Sequence, residues 1–231
     1  MENFIFKNIS SKDMNVLIKN KLPIVPRAEK NISQIEIPGR NGCLFEDTES
    51  YKTILYSLEC NTKRNVNINK LKEWLCGQGD LILSNNDKVY YKACIANQLD
   101  ISTMVRYFNS FQVDFILQPF SYTRELYIKE YKNVVEKDLI ITEATTNMFP
   151  IIEVYGNEEV NITINKQSVK VNPEEYITLD CENQEAYKDN ENANSKILGD
   201  LSKIHLKPGM NELYFVGNYD KIVIKYRKMF L

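Results

Sequence analysis

His205 is the only histidine in the chain, so any nucleophile activated by an imidazole base would have to use it. It lies in SKIHLKPG, with no nucleophile elbow in the sequence. A lone histidine on a strand pattern reads as a packed or exposed side chain. Cys43, Cys60, Cys76, Cys94 and Cys181 are odd in number, widely spaced and without a Cys-x-x-Cys. Zinc needs four close ligands, so these residues read as reduced, packed thiols and no metal site is expected. The acid pairs Glu158-Glu159 and Glu174-Glu175 suggest the two carboxylates of a glycosidase. Adjacent strand residues face opposite ways, however, and neither pair can converge on a substrate by itself. Without a catalytic set or a cofactor-binding set, the expectation is a protein that is not an enzyme.

IEIPGRNGCLF (35–45) poses the phosphate question. A Walker loop spaces two glycines by four residues before Lys-Ser/Thr, and a dinucleotide fingerprint opens a helix with three spaced glycines. Neither spacing is present, and CLFEDTES is not a helix start. Gly77-Gln78-Gly79 follows its helix, at the carbonyl end where anions are repelled. Pro38-Gly39-Arg40-Asn41-Gly42 therefore reads as a tight turn between two strands, with Arg40 projecting from its tip toward a neighbour's carboxylate or carbonyl.

The elements around these residues are mostly strands. Ile54, Tyr56, Leu58 and Cys60 alternate with Leu55, Ser57 and Glu59, and Phe111, Val113, Phe115 and Leu117 alternate in the same way. Val160, Ile162 and Ile164 do likewise. In NVNINKLKEWLCGQG, Ile68, Leu71, Trp74 and Leu75 recur at helical spacing, which predicts a short amphipathic helix near 67–76. Asn67 or Asn69 caps its start, and Gly77 ends it. Asn85-Asn86-Asp87 reads as a hairpin turn. Gly156-Asn157, Asn172-Pro173, Lys207-Pro208-Gly209 and Gly217-Asn218 cut the second half into short strands. Residues 188–196, KDNENANSK, read as a mobile loop. A domain change is placed near residue 125, giving domains 1–125 and 126–231, the second a β-sandwich or barrel.

Composition narrows the partners. The 231 residues are 43% hydrophobic and 26% charged with a net charge of -2, so no global basic field recruits nucleic acid. MENFIFKNIS lacks the features of a secretory signal, and no apolar run approaches a membrane span. Fourteen tyrosines and ten phenylalanines sit outside any basic setting. Adjacent rings at Tyr107 and Phe108 face opposite ways on a strand, and most aromatics are expected in cores.

The order of segments resembles the distal tail (Dit) proteins of long-tailed bacteriophages. The resemblance runs through FIF and SSKDMNV, VPRAEKNISQIEIPGRNG (25–42), FEDTESY (45–51), LKEWLCGQGDLILSNNDKVYYKA (71–93) and FQVDFILQPFSY (111–122). It continues in FPIIEVYGNEEVNITINKQ (149–167), EEYITLDCENQEAY (174–187) and LKPGMNELYFVG (206–217). It implies a mainly β fold: an N-terminal sandwich-like belt domain with one short helix, and a C-terminal galectin-like β-sandwich. It also implies six copies in a ring at the virion tail tip, assembled in the host cytoplasm. Such a ring links the tail tube protein to the tail-tip (tail-associated lysin) protein and to receptor-binding components. Arg27, Arg40 and Asn41 are then candidate ring contacts, and Phe120 and Tyr122 candidates for the domain junction. The competing reading is a lectin-like module for host cell-wall adsorption, with Tyr214 and Tyr219 as sugar-stacking residues.

Overall fold

The computed structural model describes residues 2–63, 66–95, 110–132 and 137–231. Tyr107 and Phe108 lie outside the described residues. The chain divides into two compact units, Met1–Tyr122 together with Leu231, and Thr123–Phe230.

The first unit contains β1 (Phe4–Phe6), β2 (Ile9–Ser10), β3 (Val16–Ile18), β4 (Lys30–Glu36), β5 (Cys43–Tyr51) and β6 (Ile54–Thr62). After them come α1 (Ile68–Trp74), β7 (Gln78–Leu83), β8 (Asn86–Ile95) and β9 (Ser110–Thr123). Its main sheet runs β2-β1-β7-β8-β9-β6-β3, while β4 and β5 form a two-stranded sheet of their own. The period-two expectation for β6 and β9 holds, with Leu58 opposite Val113 and Tyr56 opposite Phe115, all buried.

Asn67 caps α1, its side chain accepting the N–H groups of Asn69 and Lys70 at 3.1 Å each. The helix presses Leu71 and Trp74 onto the sheet. Trp74 stacks on Phe4 (centroids 5.4 Å apart, 8° between planes), and Phe4 and Phe6 both meet the edge of Phe115. The indole N–H donates to the Phe6 carbonyl at 2.8 Å, so the ring's one polar group is satisfied inside the core. Full burial of a Leu71-sized side chain contributes about 2 kcal/mol.

The second unit holds β10 (Tyr127–Tyr131), β11 (Lys137–Thr142), β12 (Ile151–Gly156), β13 (Val160–Ile164), β14 (Gln167–Val171) and β15 (Glu175–Asp180). It continues with β16 (Glu185–Lys188), β17 (Glu191–Asn192), β18 (Ile197–Leu198), β19 (Gly209–Gly217) and β20 (Lys221–Tyr226). One sheet runs β10-β20-β12-β15-β16-β17 and the other β11-β19-β13-β14-β18. Alternating residues, among them Ile152, Val154, Ile222 and Ile224 from the first sheet and Ile162, Ile164, Leu213 and Phe215 from the second, are buried. That is the pattern of a β-sandwich. Tyr131 meets Phe215 at 4.8 Å between centroids, one ring from each sheet.

Asn211 is fully buried and ties the Lys207–Gly209 turn into this core. Its Nδ2 donates to the carbonyls of Ile140, Lys207 and Gly209 at 3.2, 2.9 and 3.2 Å. Its Oδ1 accepts from the Lys207 N–H at 2.6 Å and from Asn165 Nδ2 at 2.7 Å.

Three local expectations change. The turn between β7 and β8 is Ser84-Asn85, one residue earlier than expected, because Leu83 pairs directly with Asn86. Residues 188–196 form the end of β16, β17 and a single 3-10 turn instead of a loop. Their polar side chains act on backbone: Asn194 Oδ1 accepts the Ala186 N–H at 2.6 Å, and Asn192 Oδ1 accepts the Asn194 N–H at 3.0 Å. The sequence reading also missed the two-residue turn Asn165-Lys166 between β13 and β14. Both residues have positive φ, +52° and +70°, as a type I′ hairpin requires.

Candidate assembly surface

The β4–β5 ribbon is where the first unit departs from a self-contained core. Its turn is built as the glycines demand: Gly39 and Gly42 have φ of +81° and +85°, and the Arg40 N–H donates to the Ile37 carbonyl at 3.1 Å. At the opposite end, polar bonds hold the two strands together. Asn31 Nδ2 donates to Ser50 Oγ at 2.8 Å, the Thr48 hydroxyl donates to the Asn31 carbonyl at 2.9 Å, and Lys30 pairs with Asp47.

Between those ends the ribbon carries large apolar side chains on both faces. Gln34 stands opposite Phe45 on one face and Ile35 opposite Leu44 on the other. Ile32, Ile35, Ile37, Leu44 and Phe45 are all exposed, Phe45 by 65%. An isolated two-stranded hairpin is marginal in water, and five large apolar side chains on one add a cost that only a cover removes. Burying each contributes about 1–2 kcal/mol. A smaller apolar spot lies on the outer face of the main sheet, where exposed Leu55 pairs with exposed Ile116.

The residues singled out from sequence fall into separate places. Arg40 and Asn41 are exposed at the ribbon tip, whereas exposed Arg27 precedes its base. One strand length, on the order of 20 Å, separates them, so they form no single cluster. Phe120 is edge-on to Tyr51 (5.5 Å, 72°), at the base of the ribbon. Tyr122 is buried, stacks on Tyr90 (5.4 Å, 22°) and lies under Lys92 Nζ at 4.8 Å. Both rings thus have these contacts inside the first unit.

The sugar-stacking pair does not hold together. Tyr214 is exposed on β19, but Tyr219 is only 3% exposed and packs edge-on against Phe215, so no sugar ring can reach its face. Two half-buried rings of the other sheet are also occupied. Tyr155 stacks on Tyr176 (5.6 Å, 25°), with Lys221 Nζ over the first at 4.4 Å and Lys188 Nζ over the second at 5.5 Å. A cleft of about 510 Å³ beside β17 is lined by Glu174, Lys188, Asp189 and Lys196 among others, and no aromatic lines it. Its two lysines are paired, Lys196 with Glu174 at 2.5 Å and Lys188 with Glu175 at 2.7 Å.

Burial pushes the Cys60 and Cys181 thiols up to about 12, which keeps both protonated and inert. Burial, helped by the Lys207 charge, lowers His205, and its Nδ1 is buried without a hydrogen-bond partner. No group of three or more potential metal ligands occurs among the described residues.

What the sequence reading missed was the apolar set of the ribbon. The signal was present in KNISQIEI: Ile32 falls on one parity and Ile35 and Ile37 on the other. A strand with one core face keeps its apolar residues on one parity, whereas this one shows them on both.

Residues 7–117 match the model of the phage tail protein RIFT-related domain. No curated protein sequence matches the chain. Among solved structures, the chain is similar to the crystal structure of SPP1 Dit (gp 19.1), described as a paradigm of the hub adsorption apparatus in phages that infect Gram-positive bacteria. The TM-score is 0.75 at 12% identity, and the match covers 100% of both chains.

Proposed function

We propose that this chain is a phage distal tail hub, assembling as a hexameric ring at the tail tip, because residues 7–117 match the phage tail protein RIFT-related domain and the whole chain shares the fold of SPP1 Dit. The first unit, close to residues 1–125, forms the ring, and the second, close to 126–231, is a galectin-like domain. The ring joins the tail tube protein to the tail-tip (tail-associated lysin) protein and offers a base for receptor-binding components. Its role is structural.

The observation that carries this reading is the β4–β5 ribbon, which holds large apolar side chains exposed on both of its faces. A cyclic ring is a head-to-tail assembly and needs two different complementary patches on each subunit. The ribbon is one, with Arg40 and Asn41 reaching a neighbour's polar groups from its tip. The exposed Leu55–Ile116 pair on the main sheet is the counterpart. A mildly acidic chain also suits a lumen that must not grip the phosphates of a passing genome.

Electron microscopy of the purified full chain tests the proposal. Rings with six-fold symmetry and an open lumen are the expected particles. Solitary subunits at every concentration, with no binding to tail tube or tail-tip proteins, would remove it.

A further inference from the structure

β11 ends the five-stranded sheet. β19 lies on one side of it, and among the described residues no strand pairs with the other side. Ile140 and Thr142 point into the core, so Lys137, Leu139 and Ile141 face outward, and exposed Glu143 follows them. Ile141 is 72% exposed. Across the ladder it pairs with exposed Met210, and Lys137 pairs with exposed Tyr214. An open edge with an apolar ridge beside it is a template for a further strand.

The order of side chains points to the occupant. An antiparallel second copy of β11, centred with Ile140 on a two-fold axis, sets Leu139 opposite Ile141 and Lys137 opposite Glu143. Apolar residues then meet at the centre and opposite charges at both ends. The register pairs residues of like parity, so outward-facing backbone groups meet outward-facing backbone groups. The neighbouring like-parity registers lose this match, placing Lys137 opposite Ile141 or Leu139 opposite Glu143. We propose that β11 is a strand-pairing edge through which two copies of this chain associate about a two-fold axis, their five-stranded sheets becoming continuous.

Both charged ends are free to exchange partners. Lys137 pairs with Glu212 at 3.5 Å and Glu143 with Lys228 at 3.3 Å, and the side chains of Lys137, Glu212 and Glu143 are all more than half exposed. Exposed pairs of this kind are worth little and rearrange readily. Seven positions of strand pairing, 137 to 143, bury less than a standard interface, so the association depends on concentration. The contact is isologous, whereas a ring contact is head-to-tail, so the inference does not rest on the ring.

The test is light scattering after size exclusion across a dilution series, on the full chain carrying Ile35→Lys and Leu44→Lys to disable the ribbon. The mass is expected to move from one chain to two as concentration rises. Lys137→Glu alone and Glu143→Lys alone should each weaken pairing about tenfold. The double exchange Lys137→Glu with Glu143→Lys should restore it, with unchanged thermal melts showing that each variant is folded. A mass of one chain at every concentration overturns the inference, as does doubling that survives Lys137→Glu or is not recovered by the double exchange. If the ribbon variant still forms rings, the ribbon's role in the ring has failed. β11 is then judged on those rings: Lys137→Glu must halve the particle mass, and an unchanged mass overturns the inference.

Discussion

Ile35 and Leu44 stand opposite each other across the β4–β5 ribbon, and both are about half exposed. Cross-strand apolar pairs stabilise a sheet when one face is covered, yet this pair stays exposed. The pair therefore separates folding from assembly. Lysine at either position should change the stability of the chain by no more than about 0.5 kcal/mol. It should abolish ring formation, because a charge would then lie in an apolar contact. Thermal melts beside light scattering would check both halves of this expectation; a large loss of stability would show that the pair belongs to the folding core instead.

Trp74 gives the contrasting case. It is buried, stacked on Phe4 and bonded to the Phe6 carbonyl. Trp74→Phe leaves that carbonyl without its donor and opens space beside the sheet, at a cost of about 1–3 kcal/mol. Denaturant unfolding followed by circular dichroism would measure it.

Asn211 is the polar hub of the second unit, making five hydrogen bonds in the core. Asn211→Ala should lose about 2–3 kcal/mol through the buried groups left unpaired. Asn211→Asp should lose more, since a carboxylate would face three carbonyls that now receive donors. A double-mutant cycle with Asn165→Ala would show coupling between the two side chains, and strict additivity would argue against a shared network.

His205 should make the second unit sensitive to acid. Burial comes first among the causes that hold its pKa below the ordinary value of about 6.5. The unfolded chain therefore takes up the proton before the folded one does. Stability associated with the neutral ring is present above the ordinary value, declines as pH falls through it toward the lower folded value, and then levels off. His205→Gln should flatten that decline in melts recorded between pH 7 and 5. An unchanged slope would show that other groups govern it.

The helix and the strands with one buried face were legible in sequence because a single periodicity was enough to define them. Ile68, Leu71 and Trp74 follow one spacing and the residues of β6 follow another, and both patterns are written along the chain itself. The polar run 188–196 was misread because its asparagines bond to backbone groups that only the fold brings near. Tyr219 was misread for a related reason: exposure depends on Phe215, which approaches it through the fold.

The sequence by itself determined the β class, the capped helix and the turn tip at Arg40. All of these follow from residue type and short-range spacing. Only the tertiary structure decided that the apolar residues of the ribbon beside that turn stay exposed and that β11 stands at an edge among the described strands. Both are facts about which strands lie next to which, and strand neighbours are set by contacts between residues far apart in the chain.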